Sequence, residues 1–274
     1  MVEIVDGNAM AEEMQQELIA QFSGDKFSIA LAILVVGRDP VTASFVTAKK
    51  KFAQKLGIVV SEIQVQEEVT TAELIALVTS LSVEADGVVV QLPLPTHVDT
   101  EEVLNAIPVG KDVDVLGNNA YAESLLSDAL VVPPVAGAVL RILDTYNVEI
   151  PGAQVVVVGK GRLVGEPVGV LLQKRGAHVS YLDRGTSRED FVKELLEATI
   201  VVSGAGAPGL ITEDLISEDV VLIDAGTSSV GRVTKGDIDF NCASKARLFA
   251  KTPGGVGPLT VAMLFKNLAV LTSR

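Results

Sequence analysis

Residues 154–182 read QVVVVGKGRLVGEPVGVLLQKRGAHVSYL, and the fold turns on this stretch. A β-branched run, Gln154–Val158, stops at a glycine-rich turn, Gly159–Gly165. Apolar spacing then becomes helical over Pro167–Arg175 and extended again over His178–Leu182. Strand, tight turn, helix and strand in that order predict a βαβ unit with two parallel strands, since a parallel pair needs a crossover that long. The turn has GxGxxxG spacing, Gly159-Lys160-Gly161 followed by Gly165. Glycines there allow the tight bend and the close approach of a pyrophosphate, while the helix start offers N–H groups to it. A turn that merely packs helix on strand would also use small residues.

Outward from this unit the alternation continues. Towards the C-terminus, Ile200–Ser203 and Val220–Asp224 read as further strands. Towards the N-terminus, Ile29–Val36 reads as a buried strand, and Asp39-Pro40 opens a helix over 41–56 that Gly57 closes. Ile58–Gln66 and Gly87–Leu92 read as strands, with helices at Thr71–Leu81 and Asp99–Ala106 around them. Asn8–Phe22 and Val139–Tyr146 complete the helices, and Pro108–Asn119 reads as loop. The fold class is α/β, with two domains built on parallel sheets.

Composition narrows the function classes. The chain has 274 residues, 48% of them hydrophobic, enough for two medium domains. A net charge of −13 argues against nucleic acid as a partner. No apolar run approaches the roughly 20 residues of a membrane span, and the opening MVEIVDGNAMAEEM lacks the apolar core of a signal peptide. A single cysteine, Cys242, fits a reducing cytoplasm. His97 and His178 stand alone, without metal-ligand spacing, so no metal is expected.

Several residues stand out as chemistry. The second strand of the βαβ unit ends in Asp183-Arg184. An acid at this place suits the ribose 2′-OH of NAD, and an arginine suits the 2′-phosphate of NADP. With Lys160 and Arg162 in the turn, three cations gather in an acidic protein, which favours NADP while Asp183 keeps NAD open. In the helix after Asp39, Phe45 and Lys49 are four apart and share a face with Val46. Lys50 and Lys51 point elsewhere and read as solvated. A lysine held against apolar neighbours can serve as a base. Gln91 ends its strand just before Pro93 and Pro95, at the carboxyl edge where functional residues of parallel sheets gather. Finally, residues 252–264, TPGGVGPLTVAML, crowd glycines and prolines ahead of a helical pattern. They read as a stiff connector or as a backbone-walled pocket for a flat ligand.

Taken together, VVGRDPVTASFVTAKKKFAQKLGI, GVVVQLPLPTHVD, KDVD, VVVVGKGRLVGEP, GDIDF and TPGGVGPLTVAMLFKN occur in one order. This order resembles the bifunctional methylenetetrahydrofolate dehydrogenase/methenyltetrahydrofolate cyclohydrolase family over nearly the whole chain. The resemblance implies hydride transfer from 5,10-methylenetetrahydrofolate to NADP+, or NAD+, and then hydrolysis of the methenyl cation to 10-formyltetrahydrofolate. It implies Lys49 as the catalytic lysine, Gln91 as its modulator and Asp114 of KDVD as the group that orients the pterin. It further implies that Phe45 stacks on the pterin and that Gly254, Gly255, Val256 and Pro258 line the folate site. Gly159, Lys160, Gly161, Arg162, Asp183, Arg184 and Thr227 would hold the dinucleotide. A folate-binding catalytic domain, 1–125 with 256–274, and a Rossmann-like domain, 126–255, are expected, with the last helix returning to the first domain. A cytoplasmic homodimer is expected, with tetrahydrofolates as the small-molecule partners.

The chain also departs from the family. Phe45 stands where a tyrosine is usual, so stacking survives but a hydroxyl is lost. The usual KDVDGFHP reads KDVDVLGN, a PCTP-like segment reads Pro133-Pro134-Val135-Ala136, and the GRS turn reads Gly159-Lys160-Gly161. The usual His-Ser at the second strand end is Asp183-Arg184, and the Pro-Val before the glycine bend is Lys251-Thr252. Two further readings follow from these changes: a dehydrogenase with weak or no cyclohydrolase, and a non-catalytic folate- or nucleotide-binding relative.

Overall fold

The computed structural model describes residues 2–22, 29–126, 129–230 and 233–273. In chain order the elements begin β1 (Glu3–Ile4), α1 (Gly7–Phe22), β2 (Ala30–Val36), α2 (Pro40–Leu56), β3 (Val59–Val65) and α3 (Thr71–Glu84). They continue β4 (Gly87–Val90), α4 (Thr100–Asn105), α5 (Asn118–Ser124), α6 (Pro134–Thr145), β5 (Gln154–Val158), α7 (Gly165–Lys174) and β6 (His178–Leu182). Last come α8 (Arg188–Glu197), β7 (Ile200–Ser203), β8 (Val220–Asp224), β9 (Ser228–Val230), β10 (Val233–Lys235), β11 (Ala246–Ala250) and α9 (Val256–Thr272).

The chain forms two compact units, Glu12–Pro134 with Val261–Arg274, and Met1–Ala11 with Val135–Thr260. The first unit is built on a parallel sheet of order β3-β2-β4. Central β2 is apolar throughout because helices cover both its faces, whereas edge strand β3 mixes exposed and half-buried residues. Local chemistry sets the helix ends. The Asp39 carboxylate accepts from Thr42 N at 2.7 Å, and Gly57 closes α2 at φ 72. Thr70 and Glu73 form a reciprocal capping box on α3. The second part of α9 packs here, with Leu264, Phe265, Leu268 and Ala269 in one core with Leu31, Ile33, Val46 and Val89. The Phe265 ring stacks on Phe52 at 5.1 Å.

The second unit holds a six-stranded sheet, β1-β11-β8-β7-β5-β6, with every pair parallel. From β5 the chain goes to β6 on one side and then to β7 on the other. The crevice where strand order reverses therefore lies at the carboxyl ends of β5 and β7, the usual ligand position in open α/β sheets. A short antiparallel pair, β9 with β10, follows β8.

Three features differ from the sequence reading. Residues 1–11 belong with the dinucleotide-type unit, because β1 pairs with β11 and Gly7 N donates to Gly254 O at 2.9 Å. The boundaries fall after 134 and after 260 rather than after 125 and before 256. Residues 108–119, read as loop, contain a 3₁₀ turn, Val109–Lys111, and the first residues of α5. That turn is fastened from below, with Lys111 Nζ donating to Ala85 O at 2.8 Å.

Candidate active site

In the first unit, three elements bring Lys49, Gln91 and Asp114 together. Lys49 lies on the third turn of α2, with Val46, on the buried side, while Lys50 and Lys51 are exposed. Its Nζ donates to Gln91 Oε1 at 3.1 Å and lies 3.4 Å from Asp114 Oδ2. Lys49 is only 9% exposed, so its amine is a localised, oriented group rather than a solvated tip. Gln91 follows β4. Its backbone N–H still donates to Leu34 O at 2.9 Å, and its Nε2 donates to Leu92 O at 3.1 Å. The amide is thereby oriented with oxygen towards the lysine. Phe45, one turn before Lys49, is 41% exposed and lies on the same side of α2.

Asp114 sits in a tight loop with unusual backbone. Asp112 is fully buried, and its Oδ2 accepts from Leu116 N at 3.0 Å and Gly117 N at 2.8 Å. Its Oδ1 is buried without a hydrogen-bond partner among the described residues. Burial pushes the Asp112 carboxyl up to about 6, against the lowering effect of those amides, and neighbouring Asp114 adds to the rise. Val115 takes φ 57, the left-handed region that β-branched side chains resist.

At the carboxyl end of β5, Gly159 adopts φ 90. A Cβ there would come within 2.9 Å of Gly204 O and 3.0 Å of Ala205 Cα, on the loop after β7. A Cβ on Gly165 would collide with the Gly159 carbonyl, but one on Gly161 would meet nothing within 4 Å. Among the described residues, no side chain caps the start of α7. Lys160 Nζ stands 5.2 Å from the Tyr181 ring centroid, Arg162 is half-buried, and Asp183 and Arg184 are exposed at the end of β6. Asp183 Oδ1 is engaged by Gly185 N at 2.8 Å. Thr227 is exposed beyond β8. These residues ring one edge of the sheet.

The glycine bend belongs to this second unit. Gly254 takes φ 100, and a Cβ on Gly255 would come within 2.7 Å of Lys251 O. Val256 is buried, and Pro258 lies in the first turn of α9. Gly254 is therefore accounted for by its positive φ, and Gly255 by close backbone packing against Lys251.

Sequence reasoning missed the buried acids that shape these loops. Asp237, inside the quoted GDIDF, is fully buried and takes four donors: Ser203 Oγ, Ala205 N, Gly206 N and Ala207 N, at 2.7–3.2 Å. Asp224 accepts from Gly226, Asp237 and Ile238 N–H groups, and burial with Asp237 nearby pushes its carboxyl up to about 7. The available signal was an acid at a strand's carboxyl end followed by GDID. Asn267 on α9 was also missed. It is fully buried and bonded to Val113 and Val132.

Comparison with known proteins agrees with the two-unit α/β fold. Residues 5–114 match the model of the tetrahydrofolate dehydrogenase/cyclohydrolase catalytic domain, and residues 133–274 match that family's NAD(P)-binding domain. The chain is 33% identical over 273 residues to the bifunctional protein FolD of Exiguobacterium sibiricum, covering 97% of this chain and 98% of that one. It is 35% identical over 272 residues to FolD of Methanosarcina barkeri, covering 97% and 94%. Among solved structures it resembles the Trypanosoma brucei N5,N10-methylenetetrahydrofolate dehydrogenase-cyclohydrolase, complexed with NADP cofactor and inhibitor. That likeness has a TM-score of 0.96 and 32% identity, and covers 100% of this chain and 98% of that one.

Proposed function

The chain belongs to the tetrahydrofolate dehydrogenase/cyclohydrolase family, and we propose on that footing how its own residues perform the two reactions. It oxidises 5,10-methylenetetrahydrofolate with NADP+ and hydrolyses the methenyl product to 10-formyltetrahydrofolate. The observation that carries this reading is the Lys49 amine held between Gln91 Oε1 and the Asp114 carboxylate.

The turn after β5 fits a dinucleotide. Gly159 brings backbone against backbone, Gly161 leaves its Cβ position open, and the α7 start is free of a side-chain cap. NADP, when bound, supplies the hydride acceptor. Lys160, Arg162 and Arg184 are the cations suited to its phosphates. Thr227 is assigned to the same ligand on its position beyond β8. Asp183, engaged by Gly185, is assigned to the turn that presents Arg184.

Hydride transfer requires two flat rings in fixed register, so binding and orientation are the protein's main contribution. Asp114 hydrogen-bonds the pterin and Phe45 stacks on it. Gly254, Gly255, Val256 and Pro258 are assigned to folate on the PGGVGP motif. In hydrolysis, water attacks the methenyl carbon and gives one proton to the neutral Lys49 Nζ; the C–N5 bond then breaks as the C=O forms, N5 leaves with the proton returned from Lys49, and the second water proton is released. Gln91 keeps that nitrogen aimed, because its own amide is anchored on Leu92 O. The Phe45 ring lacks a hydroxyl to share this task, so hydrolysis rests on Lys49 and Gln91. We further infer a cytoplasmic homodimer. The lone cysteine, free and buried, supports the first part, and the family supports the second.

Steady-state assay of the purified chain tests the reading. Methylenetetrahydrofolate with NADP+ should yield reduced nicotinamide, and methenyltetrahydrofolate should be hydrolysed directly. Lys49→Ala should slow hydrolysis by about 10²–10⁴-fold, the range for losing a positioned proton carrier. Absence of reduced nicotinamide with either cofactor would reject the dehydrogenase. Hydrolysis unaffected by Lys49→Ala would reject the role given to the lysine.

A further inference from the structure

We propose that Asn267 is a positioning residue for the reaction: from α9 it clamps the backbone beside Asp114, so that the Asp114 carboxylate stays against Lys49. This rests on the functional reading given for Lys49 and Asp114.

Asn267 is fully buried on α9, among neighbours in sequence, Leu264, Phe265, Leu268 and Ala269, that are buried too. Its Nδ2 donates to Val113 O at 2.9 Å and to Val132 O at 2.8 Å, while its Oδ1 accepts from Val132 N at 3.3 Å. A leucine would fill the same space without needing hydrogen bonds, and a buried amide is unfavourable unless bonded. What the amide adds is a fixed place for the carbonyl of Val113, the residue just before Asp114.

The loop needs such a hold. Val115, just after Asp114, is kept at φ 57. A β-branched residue freed from restraint leaves that region for the ordinary ones. On its far side the loop is tied by Asp112, whose Oδ2 takes the Leu116 and Gly117 amides. On its near side, after the Lys111 bond to Ala85 O, the side-chain tie on the residue adjoining Asp114 is Asn267. Asp114 therefore lies between a clamped carbonyl and a strained residue. Its 3.4 Å approach to Lys49 depends on both ends staying put. Release of the Val113 carbonyl lets Val115 relax and carries the Asp114 carboxylate away from the amine. Strained backbone held by its surroundings at a functional site has this property generally.

Asn267→Leu tests the proposal, read by steady-state kinetics, by amide hydrogen exchange over residues 112–118, and by thermal unfolding. The expected result is a rise of about five- to thirtyfold in KM for methylenetetrahydrofolate, matching loss of one or two net hydrogen bonds. A smaller change in kcat and faster exchange at the Leu116 and Gly117 amides should accompany it. If Asn267→Leu does not fold, Asn267→Ser, which is smaller and places its hydroxyl short of Val113 O, is measured in the same way. A lower melting temperature with KM and loop exchange as in the wild type would overturn the proposal and leave Asn267 a packing residue. Faster exchange with unchanged kinetics would overturn it too. A wild-type chain without turnover would instead sink the functional reading. Exchange needs no turnover and would still decide whether Asn267 holds the loop.

Discussion

Two valines in the Asp114 loop allow the backbone strain to be measured. Val113 and Val115 are both buried, 0% and 2% exposed, but only Val115 has positive φ. Replacing either by glycine removes a buried valine side chain, worth about 1.5–3 kcal/mol. Each replacement also adds about 0.5–1 kcal/mol of chain freedom to be lost on folding. At Val113 nothing opposes these terms, so Val113→Gly should destabilise by about 3 kcal/mol. At Val115 the left-handed conformation is released from a steric penalty of about 1–2 kcal/mol, so Val115→Gly should destabilise by only about 1–2 kcal/mol. Both residues lie in the same unit, so urea unfolding followed by far-UV circular dichroism reports them through one transition. The quantity of interest is the difference between the variants, in which the shared burial and entropy contributions largely cancel. Equal losses, or a larger loss at Val115, would refute the strain and weaken the argument that the loop needs clamping.

Other outcomes follow from single observations. The Asp112 carboxyl, raised to about 6 from an ordinary 3.8, favours the folded state fully below the ordinary value, and that advantage is lost as pH rises through about 6. Asp112→Asn should therefore flatten the pH dependence of unfolding between about pH 4 and 7, by at most about 3 kcal/mol; an unchanged slope would show that burial does not raise this group. Gly161→Ala should leave stability within about 0.5 kcal/mol, since the added Cβ meets nothing within 4 Å and the residue has no positive φ. The same change should raise KM for NADP+ at constant kcat if the turn cradles phosphate, and an unaltered KM would remove Gly161 from the cofactor site.

What could be read from sequence depended on how far each signal reached along the chain. β5 and β6 carry the bounds read from sequence, Gln154–Val158 and His178–Leu182, because apolar runs between glycine turns need no long-range information. β1 and β11 escaped notice for the opposite reason. Glu3 and Ile4 are both exposed, so their strand is defined by pairing with Leu248 and Phe249, far away in sequence. α8 escaped because its exposed face is heavily charged and only Phe191 and Leu195 are buried, although Ser187 capping Asp190 N was a usable sign. Lys49, Gln91 and Asp114 could be named since each lies in a local motif. That all three share one hydrogen-bonded cluster is a tertiary fact. Asn267 and Asp237 were invisible as clamps because their partners, Val113 and Ser203, lie across long stretches of chain.

The glycines separate into two physical kinds, and the separation bears on function. Gly159, Gly165, Gly254 and Gly255 are required by the protein's own backbone, through positive φ at Gly159 and Gly254 or through collisions that a Cβ would make. Gly161 and Gly257 sit inside the same two motifs, yet neither has positive φ and a Cβ on either meets nothing within 4 Å. Gly110 is open in the same sense, so openness alone is no mark of a site. In GxG and PGGVGP, however, the open glycine lies two residues after a glycine that the turn itself requires. A rigid turn that leaves one Cβ position clear is what close approach by a flat or phosphorylated ligand demands, since such a ligand needs both a fixed backbone and no side chain in its way. The fold thus explains most of each motif, and the unexplained glycine in each is the part best assigned to binding.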